Sequence, residues 1–209
     1  MNQFNIKFRD RINNFFDSAT SAGENAGLLT DVLDYANADP HRFKKEINEL
    51  QFGSALSSPL PVVLEALAID TANWGEFYVD VLKDIFEKAR EVKKPKEVLG
   101  YLMEFHYIEN DLLPFNQKIV DILMQEVETE IVEIKIAAID TLANYILNPS
   151  VKNKELINTV FISKLNDPNW KVRCFTYELL SQENSLPQGQ SLSIKDQLLK
   201  LVFGTPSVI

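Results

Sequence analysis

Cysteine is almost absent from this sequence. Cys174 is the only one among 209 residues, which excludes an intramolecular disulfide and a multi-cysteine zinc site. Histidine is nearly as scarce: His41 and His106 are the whole complement, although general acid–base chemistry uses that residue most often. Seven glycines are too few for a turn-rich β fold. No apolar run reaches the ~18 residues that a membrane span needs. Arg9, Asp10 and Arg11 interrupt the apolar part of the first twenty residues, so an ordinary secretory leader is not expected and a cytoplasmic protein is the default. Positive charge is short too: 21 Lys and Arg face 30 Asp and Glu, a net charge of −9. Nucleic-acid binding depends on clustered cations that displace phosphate counterions. This chain is therefore expected to avoid nucleic acid and membranes and to meet protein partners, basic ones included.

What is present is helix. The chain is 45% hydrophobic and 24% charged, an ordinary globular balance at a length that buries a substantial core. Between Asn2 and Phe203 nearly every stretch has a helical period. Phe4, Phe8, Ile12, Phe15 and Phe16 form one stripe, read as a docking face onto the domain. Lys7, Arg9 and Arg11 lie off that stripe, which leaves a membrane-surface or targeting helix as the alternative. Two short helices are predicted over 28–38 and 40–52, the second opened by Asp39 as cap and Pro40 at the first helical position. Residues 53–59, Gly-Ser-Ala-Leu-Ser-Ser-Pro, read as a linker. Further helices are predicted near 61–71, 74–92, 96–108, 115–128, 131–147, 154–165, 168–182 and 193–203, with Pro95, Pro114, Pro149 and Pro168 at their ends. The expected organisation is a set of N-terminal helices over 1–58, packing on or capping repeats over 59–209, or else one continuous domain.

The repeats declare themselves by self-similarity. A shift of 38 places Ile134-Lys135 on Val172-Arg173, Ala138 on Thr176 and Leu142 on Leu180. In the preceding helix the same shift places Ile119, Ile122, Leu123 and Val127 on Ile157, Val160, Phe161 and Leu165. A shift of 37 carries Ile157, Phe161 and Leu165 onto Ile194, Leu198 and Val202, the opening of a third unit. One amphipathic helix pair cannot cover its own apolar faces, so the pairs are expected to stack. Short breaks make the two helices of a pair antiparallel. The last helix, 193–203, either caps the stack or offers Leu198, Leu199 and Leu201 to another chain.

The segment Leu165-Asn166-Asp167-Pro168-Asn169-Trp170-Lys171-Val172-Arg173 resembles the central motif of HEAT repeats. In that family an apolar residue ends the first helix, Asp follows in the turn, and a Val-Arg pair opens the second helix. Asp167, Val172 and Arg173 match. One unit earlier Thr129 replaces the Asp and Lys135 the Arg, so the resemblance holds over about residues 115–182. It implies an all-α, right-handed α-solenoid of stacked antiparallel helix pairs, with Asp and Arg forming a short polar ladder. Asp167 is expected to cap the helix beginning at Pro168, and Arg173 to reach its carboxylate or the next repeat.

Catalytic chemistry finds little footing. His41 is expected at the surface and His106 among packed aromatics. Cys174 follows Arg173, a neighbour that lowers thiol pKa values, yet its place on a repeat helix beside Phe175 favours a core role. Glu126, Glu128, Glu130 and Glu133 lack the alternating ligands and glycine of a calcium loop, and read as a solvated face near a helix start. No metal or cofactor is expected. Trp170, at a helix entrance like Trp74, has the character of an interface anchor or of a ring packed on the next repeat.

The expected function is a non-catalytic protein-interaction module or adaptor. Its candidate partner surface is Glu130, Glu133, Lys135, Trp170, Lys171 and Arg173. A narrower version is an acidic inhibitor, such as an immunity protein against a basic toxin or nuclease. The rival from another class is an alkylpurine DNA glycosylase, an activity known on HEAT-like helices. Asp167, Trp170 and Arg173, in the mildly basic segment 149–209, would serve it; the net charge of −9 opposes it.

Overall fold

The computed structural model describes residues 22–48, 60–103, 105, 115–146 and 148–207. Among the described residues the fold is all-helical, with no strand. The helices are α1 (Ala22–Ala38), α2 (Pro40–Asn48), α3 (Leu60–Ala68), α4 (Thr71–Glu91), α5 (Pro95–Leu99), α6 (Asn116–Glu126), α7 (Val132–Ile146), α8 (Lys154–Lys164), α9 (Trp170–Gln182) and α10 (Ile194–Phe203). No helix among these residues is long and apolar enough to cross a membrane. The Phe4–Phe16 stripe, the 53–59 linker and His106 lie outside the described residues.

Helix ends obey the local chemistry. Asp39 Oδ1 accepts a hydrogen bond from the Arg42 N–H at 3.1 Å, and Pro40 takes the first helical position, where its missing N–H costs nothing. α1 begins six residues earlier than its apolar stripe suggests. The stretch expected to be helical over 96–108 behaves differently. After Leu99 it tightens into a 3₁₀ turn at Gly100–Leu102, beginning at the weakest helix former after Pro95.

Two kinds of packing hold the helices together. In the N-terminal part aromatic side chains with polar tips join the elements. The buried Trp74 ring meets Phe43 edge-on at 5.4 Å and Phe77 at 5.9 Å. Its Nε1–H donates to Asn37 Oδ1 at 2.8 Å, which ties α1 and α2 to α4. The Tyr78 hydroxyl donates to the Leu64 carbonyl in α3. Gly75 lets the Phe115 ring lie directly on the α4 backbone, where a Cβ would collide with it.

From α4 onward the helices contact one another in an orderly way. α4 packs on α5, α6 on α7 and α8 on α9, while α5, α7 and α9 touch in chain order. One buried apolar cluster runs from Val32 in α1 to Leu180 in α9. α10 packs on α9 and contributes one buried residue, Asp196.

Candidate functional site

The motif residues are drawn inward. α9 begins at Trp170 rather than Pro168, so the capping position falls on Asn169, whose side chain accepts from the Lys171 N–H at 2.9 Å. This corrects the expectation that Asp167 is the cap. Asp167 instead accepts from the Asn169 N–H at 2.8 Å and from Lys135 Nζ at 2.7 Å. Its side chain is 3% exposed and that of Lys135 11%. A carboxylate this enclosed needs a cation and a second donor, and it has both.

Arg173, 38 residues beyond Lys135, also reaches a following helix, α10. Nε and Nη2 grip the two Asp196 oxygens at 2.8 and 2.6 Å, and Nη1 donates to the carbonyls of Asp167 and Pro168. This bidentate grip holds the Asp196 carboxyl below its usual pKa despite burial, and raises that of Arg173. Single ion pairs likewise join Arg90 in α4 to Glu126 in α6, and Lys164 in α8 to Glu128 just past α6. Burial, with the Asp196 carboxylate second, pushes the Cys174 thiol up, which keeps it protonated and unreactive at neutral pH.

Of the six candidate surface residues, Lys135 and Arg173 are therefore engaged within the stack. Glu130 is exposed on the turn before α7. Glu133, Trp170 and Lys171 meet at one place, a cavity of about 560 Å³ that also touches Val132, Ile136 and Lys96. Trp170 is half-buried there, with its ring centroid 6.1 Å from that of Phe203. Asp167, Trp170 and Arg173 do not converge on a shared space, because Asp167 faces Lys135.

Two parts of this site are not singled out by sequence alone. One is Lys96, although the register holds a signal for it. Lys96, Glu133 and Lys171 stand at 37- and 38-residue intervals and occupy the first turns of α5, α7 and α9. The cavity thus crosses the first turns of α5, α7 and α9. The other part is the chain leaving α10. Gly204, at φ +80°, turns the backbone as few other residues can. Thr205, Pro206 and Ser207 then run across the cavity, and the Ser207 carbonyl accepts from Lys96 Nζ at 2.7 Å. Nothing but residue type announces such a path.

The apolar face of α10 is a second exposed feature. Ile194, Leu198 and Val202 are 77%, 57% and 71% exposed. Among the described residues no group of three or more His, Cys, Asp or Glu side chains is placed to hold a metal ion; His41 is exposed. Comparison of the chain with protein-family models, with curated proteins and with solved structures finds no match.

Proposed function

We propose that the chain is a protein-interaction module, built as a right-handed α-solenoid of HEAT-like helix pairs, that receives its partner across the first turns of the second helices. The 38-residue self-match supports the repeat architecture, as does the packing of α5, α7 and α9 in chain order. The cation–carboxylate links between units are the counterpart of the family's polar ladder. The observation that carries the binding role is the groove at Lys96, Glu133, Trp170 and Lys171. It combines a half-buried tryptophan, flanking charges of both signs and an apolar floor at Val132 and Ile136, the make-up of an interaction hot spot with its polar rim. Stacked repeats create such surfaces because every unit presents the same turn on the same side. A net charge of −9 favours protein partners over nucleic acid.

The test is affinity capture from the native host with wild-type chain and a Glu133→Lys/Trp170→Ala variant, followed by titration of the captured protein in purified form. The expected result is a partner retained by wild type and weakened at least about thirtyfold by the variant, the loss of one hot spot. A partner that binds both forms equally removes the groove from the proposal. The absence of any specific partner removes the interaction role.

A further inference from the structure

The geometry points to an extended, uncharged, proline-containing segment as the ligand of the groove, with the chain's own residues Gly204–Ser207 seated there as its intramolecular stand-in. This deepens the interaction reading and rests on it.

Residues 205–207 carry no regular secondary structure, and they line the same cavity as Lys96, Glu133 and Trp170. Three contacts mark the path. Thr205 Oγ1 lies 3.4 Å from Glu178 Oε1 on α9. Pro206, half-buried, lines the same cavity as Trp170 and Ile136. The Ser207 backbone carbonyl takes the Lys96 ammonium. Each is a contact that another chain's extended segment would reproduce: a hydroxyl to a carboxylate, a proline beside an indole, a main-chain carbonyl to a cation. Proline suits the position because it lacks the N–H that an extended segment would leave unpaired over an apolar floor, and its backbone is already stiff.

The lining sets length and charge. Residues 205–207 alone join Glu178 on α9 to Lys96 on α5, since long side chains reach in from both helices, so a segment of only a few residues makes these contacts. Across the first turns of α5, α7 and α9 the signs run plus, minus, plus at Lys96, Glu133 and Lys171. A strongly charged ligand would meet repulsion from one sign wherever it gained from the other, whereas a neutral one uses Lys96 and Lys171 as donors and Glu133 as acceptor. The tail meets these demands, yet a cavity of about 560 Å³ stays open beside it, room for side chains larger than Thr, Pro and Ser.

A tethered tail is also a competitor. Short tethers give effective concentrations in the millimolar range. A free peptide of about 0.1 mM affinity would therefore appear about tenfold weaker while the tail is seated.

The experiment uses the full chain and a labelled synthetic peptide, Gly-Thr-Pro-Ser-Val-Ile amide. In Thr205→Glu a second carboxylate faces Glu178 and should lift the tail, shifting the Trp170 emission; Trp170→Phe assigns the signal between the two tryptophans. The peptide should bind Thr205→Glu about tenfold more tightly than wild type. It should lose that binding when Trp170→Ala or Lys96→Ala is added, and fail when its own proline is replaced by Asp. Unshifted Trp170 emission in Thr205→Glu overturns the inference, as does a shift without peptide binding. Self-association of Thr205→Glu in place of peptide binding overturns it too, since the groove's occupant would then be a second copy. A captured partner that still depends on Glu133 and Trp170 would leave the interaction role standing while this ligand assignment fails.

Discussion

α8 and α10 carry the same apolar stripe and have opposite fates. Ile157 and Phe161 in α8 are buried and Leu165 just past its end is half-buried, whereas their counterparts Ile194, Leu198 and Val202 face solvent. The difference lies in the segment that succeeds each helix. α8 leads into α9, which folds onto it; among the described residues α10 leads into the tail, which leaves for the groove. α10 is held instead by polar pins. Arg173 grips Asp196, Lys200 pairs with Glu178, and Ser193 caps the first turn through the Asp196 N–H. An amphipathic pattern thus specifies a face that wants covering, and position in the stack decides whether it is covered.

The comparison can be broken by substitution. Phe161→Ala should lower stability by about 3–5 kcal/mol, the cost of a large cavity in a packed core, read from denaturant midpoints. Asp167→Ala comes next. It strands Lys135 without its partner, and should cost towards the lower end of about 3–5 kcal/mol because the Lys135 side chain is 11% exposed rather than fully enclosed. A loss below about 1 kcal/mol in the same measurement would show that the pair adds no stability to the stack.

Asp196→Asn tests the pin on α10. Removing a bond between charged groups should cost about 1.5–3 kcal/mol at neutral pH. Because folding lowers the Asp196 pKa, the contribution is fully present above about pH 5. It fades as pH falls through roughly 4 towards the lowered folded value. Wild-type and variant stabilities should therefore converge in acid; curves that stay parallel down to acid pH would contradict the assignment. Asn169→Ala, which deletes the α9 cap, should cost about 0.5–2 kcal/mol. That loss should be distinctly less than for Asp167→Ala, and equal midpoints would return the cap to Asp167. Leu198→Ala, the α10 equivalent of Phe161→Ala, should change stability by no more than about 0.5 kcal/mol, as for an ordinary surface site. A loss above about 2 kcal/mol would mean that the α10 stripe is covered in solution.

Much of the fold was legible because helices write themselves locally. The period of 3.6, the prolines at helix starts and the Asp39–Pro40 entrance each act within a turn or two of chain. The 37- and 38-residue shifts were legible because they are carried by residue type alone, and they put Lys96, Glu133 and Lys171 in the first turns of α5, α7 and α9. Burial of charge was harder to read. Lys135 and Arg173 look like surface residues in one dimension, and the carboxylates that draw them in lie 32 and 23 residues further along the chain. The groove is legible only in part: of the six candidate surface residues, Glu133, Trp170 and Lys171 line it, while Glu130, Lys135 and Arg173 do not, and Lys96 stands in the same register. The tail is not legible, since an extended segment has no periodicity to betray where it docks.

Among the described residues the sequence by itself determined the helices and most of their ends, because capping, proline sterics and apolar periodicity operate between residues close in the chain. Only the tertiary structure decided that Asn169 caps α9 while Asp167 turns to Lys135. The helix starts two residues past Pro168, and a buried carboxylate satisfies the nearest cation across the stack. Likewise only packing decided that the stripe of α10 stays bare while residues 204–207 run to Lys96. Apolar area seeks cover wherever it is found, but which surface is within reach depends on how the whole stack has already folded.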